Sequence, residues 1–354
     1  MKKFAVLAVF AAVSVTAQAQ SAVTLFGTLD VNARYVKNGD NSLKSLSTDG
    51  ATNSRFGVRG VEDLGDGLQA GFWLESGIGA DQGSAGDTTR FWNRRSTVSI
   101  LGHFGEVRLG RDTVPTYLGA SDYDAFGTAG VATGDKFITV TDSKLGAAAL
   151  DTSKRADNQI SYFTPNSLGG FYGRASVAAG EGTAGKKYIG GRAGYAKGPL
   201  DVSLSYGQTT VAPLATTGDD KYKMISAGAS YDFSVVKLSG YFTQQKFGTQ
   251  KLGVFNLGAQ VPVSQAGVVR VSYVRANASG LSNAATPVDT NSNDAHQFAI
   301  GYLHNLSKRT ALYATVAKVS NNGAAAYNVT TSTLPTLAGG QSSTGYEFGV
   351  RHSF

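Results

Sequence analysis

The chain has 354 residues, a formal net charge of +7 and no cysteine, so neither a disulfide framework nor thiolate chemistry is available to it. A charge this mildly positive is too thin a signal for nucleic acid. Forty-five glycines against seven prolines, with abundant tyrosine and phenylalanine and only two methionines, is a β composition.

Lys2 and Lys3 precede an apolar run, Phe4 to Val15, and then Ala17-Gln18-Ala19, the pattern of an export leader cleaved after Ala19. The run is shorter than the roughly 20 residues of a spanning helix. Residues 1–19 are therefore set aside as a signal peptide, which removes two lysines and leaves the mature chain at +5. Beyond residue 19 no apolar run approaches the length of a transmembrane helix, and residues 20–354 read as one β-domain.

Period-two alternation begins at Val23–Val36, with Val23, Leu25, Leu29 and Val31 on one face and Thr24, Thr28, Asp30, Asn32 and Arg34 on the other. Ser54–Ser76 is a long hairpin turning at Asp63–Gly67. One arm sets Arg55, Gly57 and Arg59 against Phe56, Val58 and Gly60; the other sets Leu68, Ala70, Phe72 and Leu74 against Gln69, Gly71, Trp73 and Glu75. Alternation recurs at Phe91–Gly102, Gly105–Asp112, Asp157–Pro165, Gly170–Gly180, Tyr188–Lys197, Leu200–Thr209, Tyr222–Phe233, Val235–Lys246, Lys251–Val263, Gly267–Asn277, Ala295–Asn305, Thr310–Ser320 and Thr344–Phe354. That makes about sixteen strands at an average repeat of roughly 20 residues, the spacing of barrel strands plus turns.

Short connections, such as His103-Phe104 and Lys197–Pro199, alternate with long ones, Lys37–Thr52, Ile78–Thr89, Thr113–Ala156, Ala212–Asp220, Ala278–Asp294 and Asn321–Ser343. All tight turns then fall at one end. With an even strand count, this is the layout of a transmembrane antiparallel β-barrel of the outer membrane; an unclosed sheet of so many strands would leave a long unpaired edge. In the last strand Tyr346, Phe348, Val350, His352 and Phe354 share one face, and Glu347, Gly349, Arg351 and Ser353 the other.

The mature start Ala22–Asp30, the run SRFGVRGVEDLGDGLQAGFWLE, Gly105–Arg111 and the terminal RHSF together resemble the general porins of Gram-negative bacteria, nearest to the anion-selective porins of betaproteobacteria. The likeness runs the mature length. It implies an all-β barrel of 16 strands, a homotrimer in the outer membrane, and an inward-folded third extracellular loop, residues 113–156, that narrows the pore. The aromatic residues Tyr117, Tyr123, Phe126 and Phe137 are those expected of a packed loop.

Motif by motif, the resemblance assigns pore arginines to Arg55, to Arg94 and Arg95, of which period two favours Arg95 as the inward one, and to Arg155. It assigns a pore-lining carboxylate to Glu75. The loop lacks the proline-glutamate-phenylalanine-glycine run of enterobacterial relatives, and Asp122 and Asp124 are its nearest comparable acids. The aromatic last strand resembles an assembly signal ending at Phe354, read by the barrel-assembly machinery. The expected surroundings are outer-membrane lipid and lipopolysaccharide, and the expected passengers are small anionic solutes.

Period two by itself places Arg34, Arg59, Arg108, Arg174, Arg192, Arg270 and Arg351 inward, against chiefly Asp30, Glu75 and Asp201. Two readings stand: arginines merely solvated in a wet lumen, or guanidinium groups crowded at a constriction so that they raise the local anion concentration. No nucleophile elbow, phosphate loop or metalloprotease helix occurs, and His103, His296, His304 and His352 are too scattered for a metal site; no cofactor or metal is expected. The rival readings are a lipid-modifying barrel using His304 or His352, and a substrate-specific channel with an aromatic slide, for which Trp73, Tyr172 and Tyr241 are few and dispersed.

Overall fold

A computed structural model describes residues 22–139, 145, 152–215, 217–330 and 335–354; the expected leader, 1–19, lies outside the described residues. Strands β1 (Ala22–Asn38) and β2 (Asn41–Thr48) form the first hairpin, followed by β3 (Arg55–Gly65), β4 (Leu68–Gly79), the two-residue β5 (Ser84–Ala85), β6 (Arg95–Gly102) and β7 (Gly105–Thr113). Helices α1 (Pro115–Ser121) and α2 (Lys136–Thr139) come next, then β8 (Arg155–Phe163), β9 (Phe171–Ala178), β10 (Lys187–Lys197), β11 (Leu200–Thr210) and β12 (Lys221–Asp232). The chain ends with β13 (Lys237–Phe247), β14 (Gln250–Pro262), β15 (Gly267–Ser279), β16 (Asp294–Asn305), β17 (Thr310–Asn321) and β18 (Ser343–Ser353).

Apart from β2 and β5, which extend the hairpins at the long-loop end, sixteen antiparallel strands close on themselves. Closure runs through β1, which pairs with β3 from Ala22↔Val61 to Thr28↔Arg55 and with β18 from Thr28↔Ser353 to Asn38↔Ser343. The last residue extends that seam, because Gly27 and Phe354 exchange both backbone hydrogen bonds, at 3.2 and 3.1 Å. A closed ring leaves no strand edge with unpaired N–H and C=O groups, the condition for standing in hydrocarbon.

The faces separate as the alternation predicts. On β12, Tyr222, Met224, Ser226, Gly228 and Ser230 are enclosed while Ile225 and Tyr231 look outward, and on β18 Tyr346, Phe348 and Val350 look outward while Gly345 and Glu347 are enclosed. Leu257, Phe298 and Phe348 each keep more than half their surface open on the outer wall. An apolar outer band around a polar interior is the arrangement that lipid stabilises.

Three expectations need correction. The interval 37–52, read as loop, contains β2, which pairs with the upper half of β1 from Val31↔Thr48 to Asn38↔Asn41. The strand expected from Phe91 begins only at Arg95; Phe91 and Trp92 instead pack edge to face at 4.7 Å, with Trp92 also against Phe56, in the preceding turn. Tight turns are not confined to one end either: β13 and β14 join through Gly248 and Thr249 at the long-loop end. Gly248 has φ +54° there, and a Cβ would meet Leu214 at 2.5 Å and Asn283 at 2.6 Å, so this turn lies tight against the neighbouring loops.

The core lies inside the ring. The stretch 114–139 runs along the enclosed side of the sheet from β10 to β18. Ser226 Oγ donates to the Thr116 carbonyl at 2.8 Å, Gln260 Nε2 to that of Ala125 at 3.0 Å and Gln297 Nε2 to that of Ala132 at 2.6 Å, and the Val131 amide donates to Glu347 Oε1 at 3.2 Å. Tyr117, Tyr123, Phe126 and Phe137 are all buried in this packing. Glycine makes the approach possible: a Cβ on Gly228 would stand 2.0 Å from the Tyr123 ring.

Candidate pore constriction

Glu75, on the enclosed face of β4, is the carboxylate around which the wall arginines gather. Arg94 reaches it with Nε at 2.5 Å, Arg55 stands 3.7 Å away on β3, and Trp73 donates its indole N–H at 3.0 Å. Arg155 opens β8, and its Nε has no hydrogen-bond partner among the described residues. Two guanidinium groups thus share one carboxylate, and the cluster keeps a surplus of positive charge.

Below it, toward the short-turn end, arginines and aromatic rings alternate around the wall. Arg59 and Arg95 lie over the Trp73 ring at 4.9 and 4.4 Å, Arg108 and Arg174 over Phe163 at 4.1 and 4.6 Å, and Arg192 over Tyr172 at 5.4 Å. Guanidinium faces stack on aromatic planes while their N–H edges stay available for hydrogen bonds. Arg108 uses those edges on Glu106 at 2.8 Å and Asp112 at 2.7 Å, and Arg192 on Asp122 of the inner segment at 2.5 Å.

A closed sixteen-stranded ring with a packed inner segment and an arginine-rich wall is a pore architecture, and comparison with known proteins agrees. A family model described as Gram-negative porin matches residues 5–325. The chain is 42% identical to outer membrane porin protein 32 of Delftia acidovorans, with all of both chains covered. The chain belongs to the Gram-negative porin family. The porin is also 30% identical to an outer membrane porin protein of Bordetella pertussis over 84% of its own length and 89% of that protein's. Its fold matches the anion-selective porin from Comamonas acidovorans with a TM-score of 0.81 at 40% identity, covering 95% and 100% of the two chains. The trimer form of OmpT of Vibrio cholerae shares the fold alone, at TM-score 0.64 and 15% identity over 94% and 99% of the chains. The porin is an outer-membrane channel protein.

Of the residues expected at the site, Arg55, Glu75 and Arg94 come together, while Arg155 makes no ion pair with Glu75 among the described residues. Period two favoured Arg95 over Arg94, and both face the lumen: Arg95 obeys the alternation of β6, donating to Thr97 Oγ1 at 3.0 Å, whereas Arg94 precedes the strand and is free of its phase. Arg59 lines the wall nearer the short turns. Arg34 is not at the cluster; it pairs with Glu347 at 3.2 Å and donates to the carbonyls of Thr48 and Asp49. Of the two loop acids, Asp122 is half exposed toward the lumen, but Asp124 is buried, accepting N–H groups from Phe126 and Gly134 at 2.9 and 2.8 Å and Asn256 Nδ2 at 3.1 Å. Burial pushes the Asp124 carboxyl up to about 6.

Besides Asp30, Glu75 and Asp201, Glu347 faces inward as its strand's alternation places it, and so do Glu106 and Asp112, each of the three held by an arginine. Their positions, two residues before and four after Arg108 and four before Arg351, are visible in the alternation. Arg111 was invisible. Its odd position points outward by period two, but β7 and β8 slip register between Gly110 and Asp112, and Arg111 reaches Asp157 at 2.6 Å and the Asn93 carbonyl at 2.7 Å. Among the aromatics weighed for a slide, Trp73 and Tyr172 are capped by arginine and Tyr241 is enclosed behind the inner segment. The outward histidines His304 and His352 bond Tyr302 and Thr310.

Proposed function

We propose that the porin is a trimeric diffusion channel for small hydrophilic solutes that prefers anions, with its eyelet between Arg55, Arg94 and Arg155 on the wall and the inner segment carrying Asp122. The observation that carries this reading is the sharing of Glu75 by the Arg55 and Arg94 guanidinium groups. Two unit charges about 4 Å apart interact by about 1 kcal/mol in bulk water and about 4 kcal/mol at an effective dielectric of about 20. Charges spread along a wide lumen are screened within about 8–10 Å at physiological salt, so position outweighs net charge. The resemblance to an anion-selective porin supports the sign. The apolar outer wall meets outer-membrane lipid and lipopolysaccharide, and the outward row Tyr346, Phe348, Val350 and Phe354 is the feature the barrel-assembly machinery reads.

The test is single-channel recording in a salt gradient. Replacing Arg55 and Arg155 together with serine is expected to lower the anion-to-cation permeability ratio by roughly tenfold, about 1.4 kcal/mol. Changing Lys37 or Lys44, exposed on the first hairpin, moves the zero-current potential little. Equal shifts from both sets would make selectivity a property of the whole basic surface and end the eyelet assignment.

A further inference from the structure

Asp30 belongs to the enclosed face of β1, yet none of its surface meets the lumen. It is instead the hub of the turn joining β2 to β3. Its Oδ1 accepts the amide N–H of Gly50 at 3.1 Å and the hydroxyl of Tyr313, and its Oδ2 accepts the amides of Ala51 and Thr52 at 2.9 and 2.8 Å. Its carbonyl accepts the Asp49 amide at 3.0 Å and the hydroxyls of Ser54 and Thr48 at 3.1 and 3.3 Å. Three consecutive amides converging on one buried carboxylate form a charge-assisted nest. Asp49 takes a φ of +65°, uncommon for a residue with a side chain, within that turn.

The turn then touches both sides of the eyelet. Toward the wall, the Asn53 carbonyl accepts Arg55 Nη1 at 3.0 Å. Toward the inner segment, Asn53 Nδ2 donates to Thr128 Oγ1 at 2.8 Å, and Gly50 packs so closely on Gly130 that a Cβ there would lie 2.0 Å from the Gly50 carbonyl. Asn53 therefore links a cluster arginine and the inner segment through a turn gathered on the Asp30 carboxylate, with Asp49 Oδ1 accepting the Ser54 amide at 2.6 Å and Arg34 donating to the Thr48 and Asp49 carbonyls.

We propose that Asp30 is a positioning residue of the constriction: by holding residues 49–54 in one conformation it sets the Arg55 guanidinium and the stretch 128–130 relative to each other. A negative charge facing the lumen would oppose anion passage, so removing it would raise anion preference. A positioning charge acts the other way, and losing it loosens the arginine and lowers anion preference.

The experiment compares wild type, Asp30→Asn, Asn53→Ala and the double variant in planar bilayers, reading zero-current potential, conductance and open-channel noise. The expected result is a several-fold loss of anion preference and a noisier open channel in Asp30→Asn, a smaller effect of the same sign in Asn53→Ala, and a double variant no worse than Asp30→Asn, because both act along one route. A shift of Asp30→Asn toward anions, wild-type behaviour, or additive effects in the double variant would overturn the proposal. Should Asp30→Asn fail to assemble, Asn53→Ala decides, and wild-type noise and potential in it would overturn the proposal. The selectivity readout rests on the proposed anion preference. A wild-type channel without that preference would sink the functional reading alone, while noise and conductance would still decide the role of Asp30.

Discussion

At the scale of single residues, the acids of this porin divide by what surrounds them. Glu75 is shared among arginines, Asp122 meets the lumen, and Asp124 and Asp30 are spent on backbone amides. The buried pair in the inner segment has a pH signature. Burial raises the Asp124 carboxyl from 3.8 to about 6, and burial lowers the Lys136 ammonium from 10.5 to about 7. Between pH 4 and 6 the folded segment binds a proton on Asp124 that the unfolded segment has released, so its stability falls as pH rises through that window. Between pH 7 and 10.5 the folded segment has already released the Lys136 proton, so stability rises with pH. Hydrogen-exchange protection of the Phe126 and Gly134 amides, corrected for intrinsic rates, is expected to be lowest near pH 6–7. Asp124→Asn should flatten the acid limb and leave the alkaline one, and a wild-type profile in that variant would refute the assignment.

At the scale of elements, the decisive irregularity is the slip between β7 and β8. Gly110 has φ +122°, and a Cβ there would stand 2.1 Å from the Ser96 carbonyl, which is backbone and cannot swing aside. The irregularity lets Arg108 and Asp112 pair on the lumen side while Arg111 reaches Asp157. Gly110→Val is expected to cost roughly 1–3 kcal/mol of strain and to disturb the wall next to Arg155. The measurement is the denaturant midpoint of the refolded barrel in detergent together with its zero-current potential. An unchanged midpoint would mean that the strand can relax its register without loss.

At the scale of the whole molecule, stability depends on closing the ring. The Phe354 ring lies over Gly27, where a Cβ would meet it at 2.3 Å, and the backbones of the two residues are paired. Closure thus ends on an aromatic side chain seated on a glycine at the outer wall. Phe354→Ala should reduce the amount of heat-modifiable trimer recovered from outer membranes without reducing export. Heat-shift gels of outer-membrane and whole-cell fractions report both quantities, and wild-type trimer yield would remove the assembly role; a detergent-extracted mass of a monomer at every concentration would remove the trimer.

The amino-acid sequence alone determined the barrel, the strand count, the outward apolar face and most of the arginines on the wall. All of these follow from a period-two pattern that is local, and closure is the one way such a pattern satisfies its backbone in lipid. Only the tertiary structure decided which charges meet. Arg94 precedes its strand and Arg111 sits at a register slip, so neither obeys the alternation that sorted the rest. Asp30 and Asp124 read as inward or loop acids, but whether a carboxylate faces water or a set of amides depends on segments far away in the chain: residues 50–52 and Tyr313 for Asp30, and Gly134 and Asn256 for Asp124. Partners so distant leave no periodic trace, because their encounter is produced by closing the ring and folding a segment inside it.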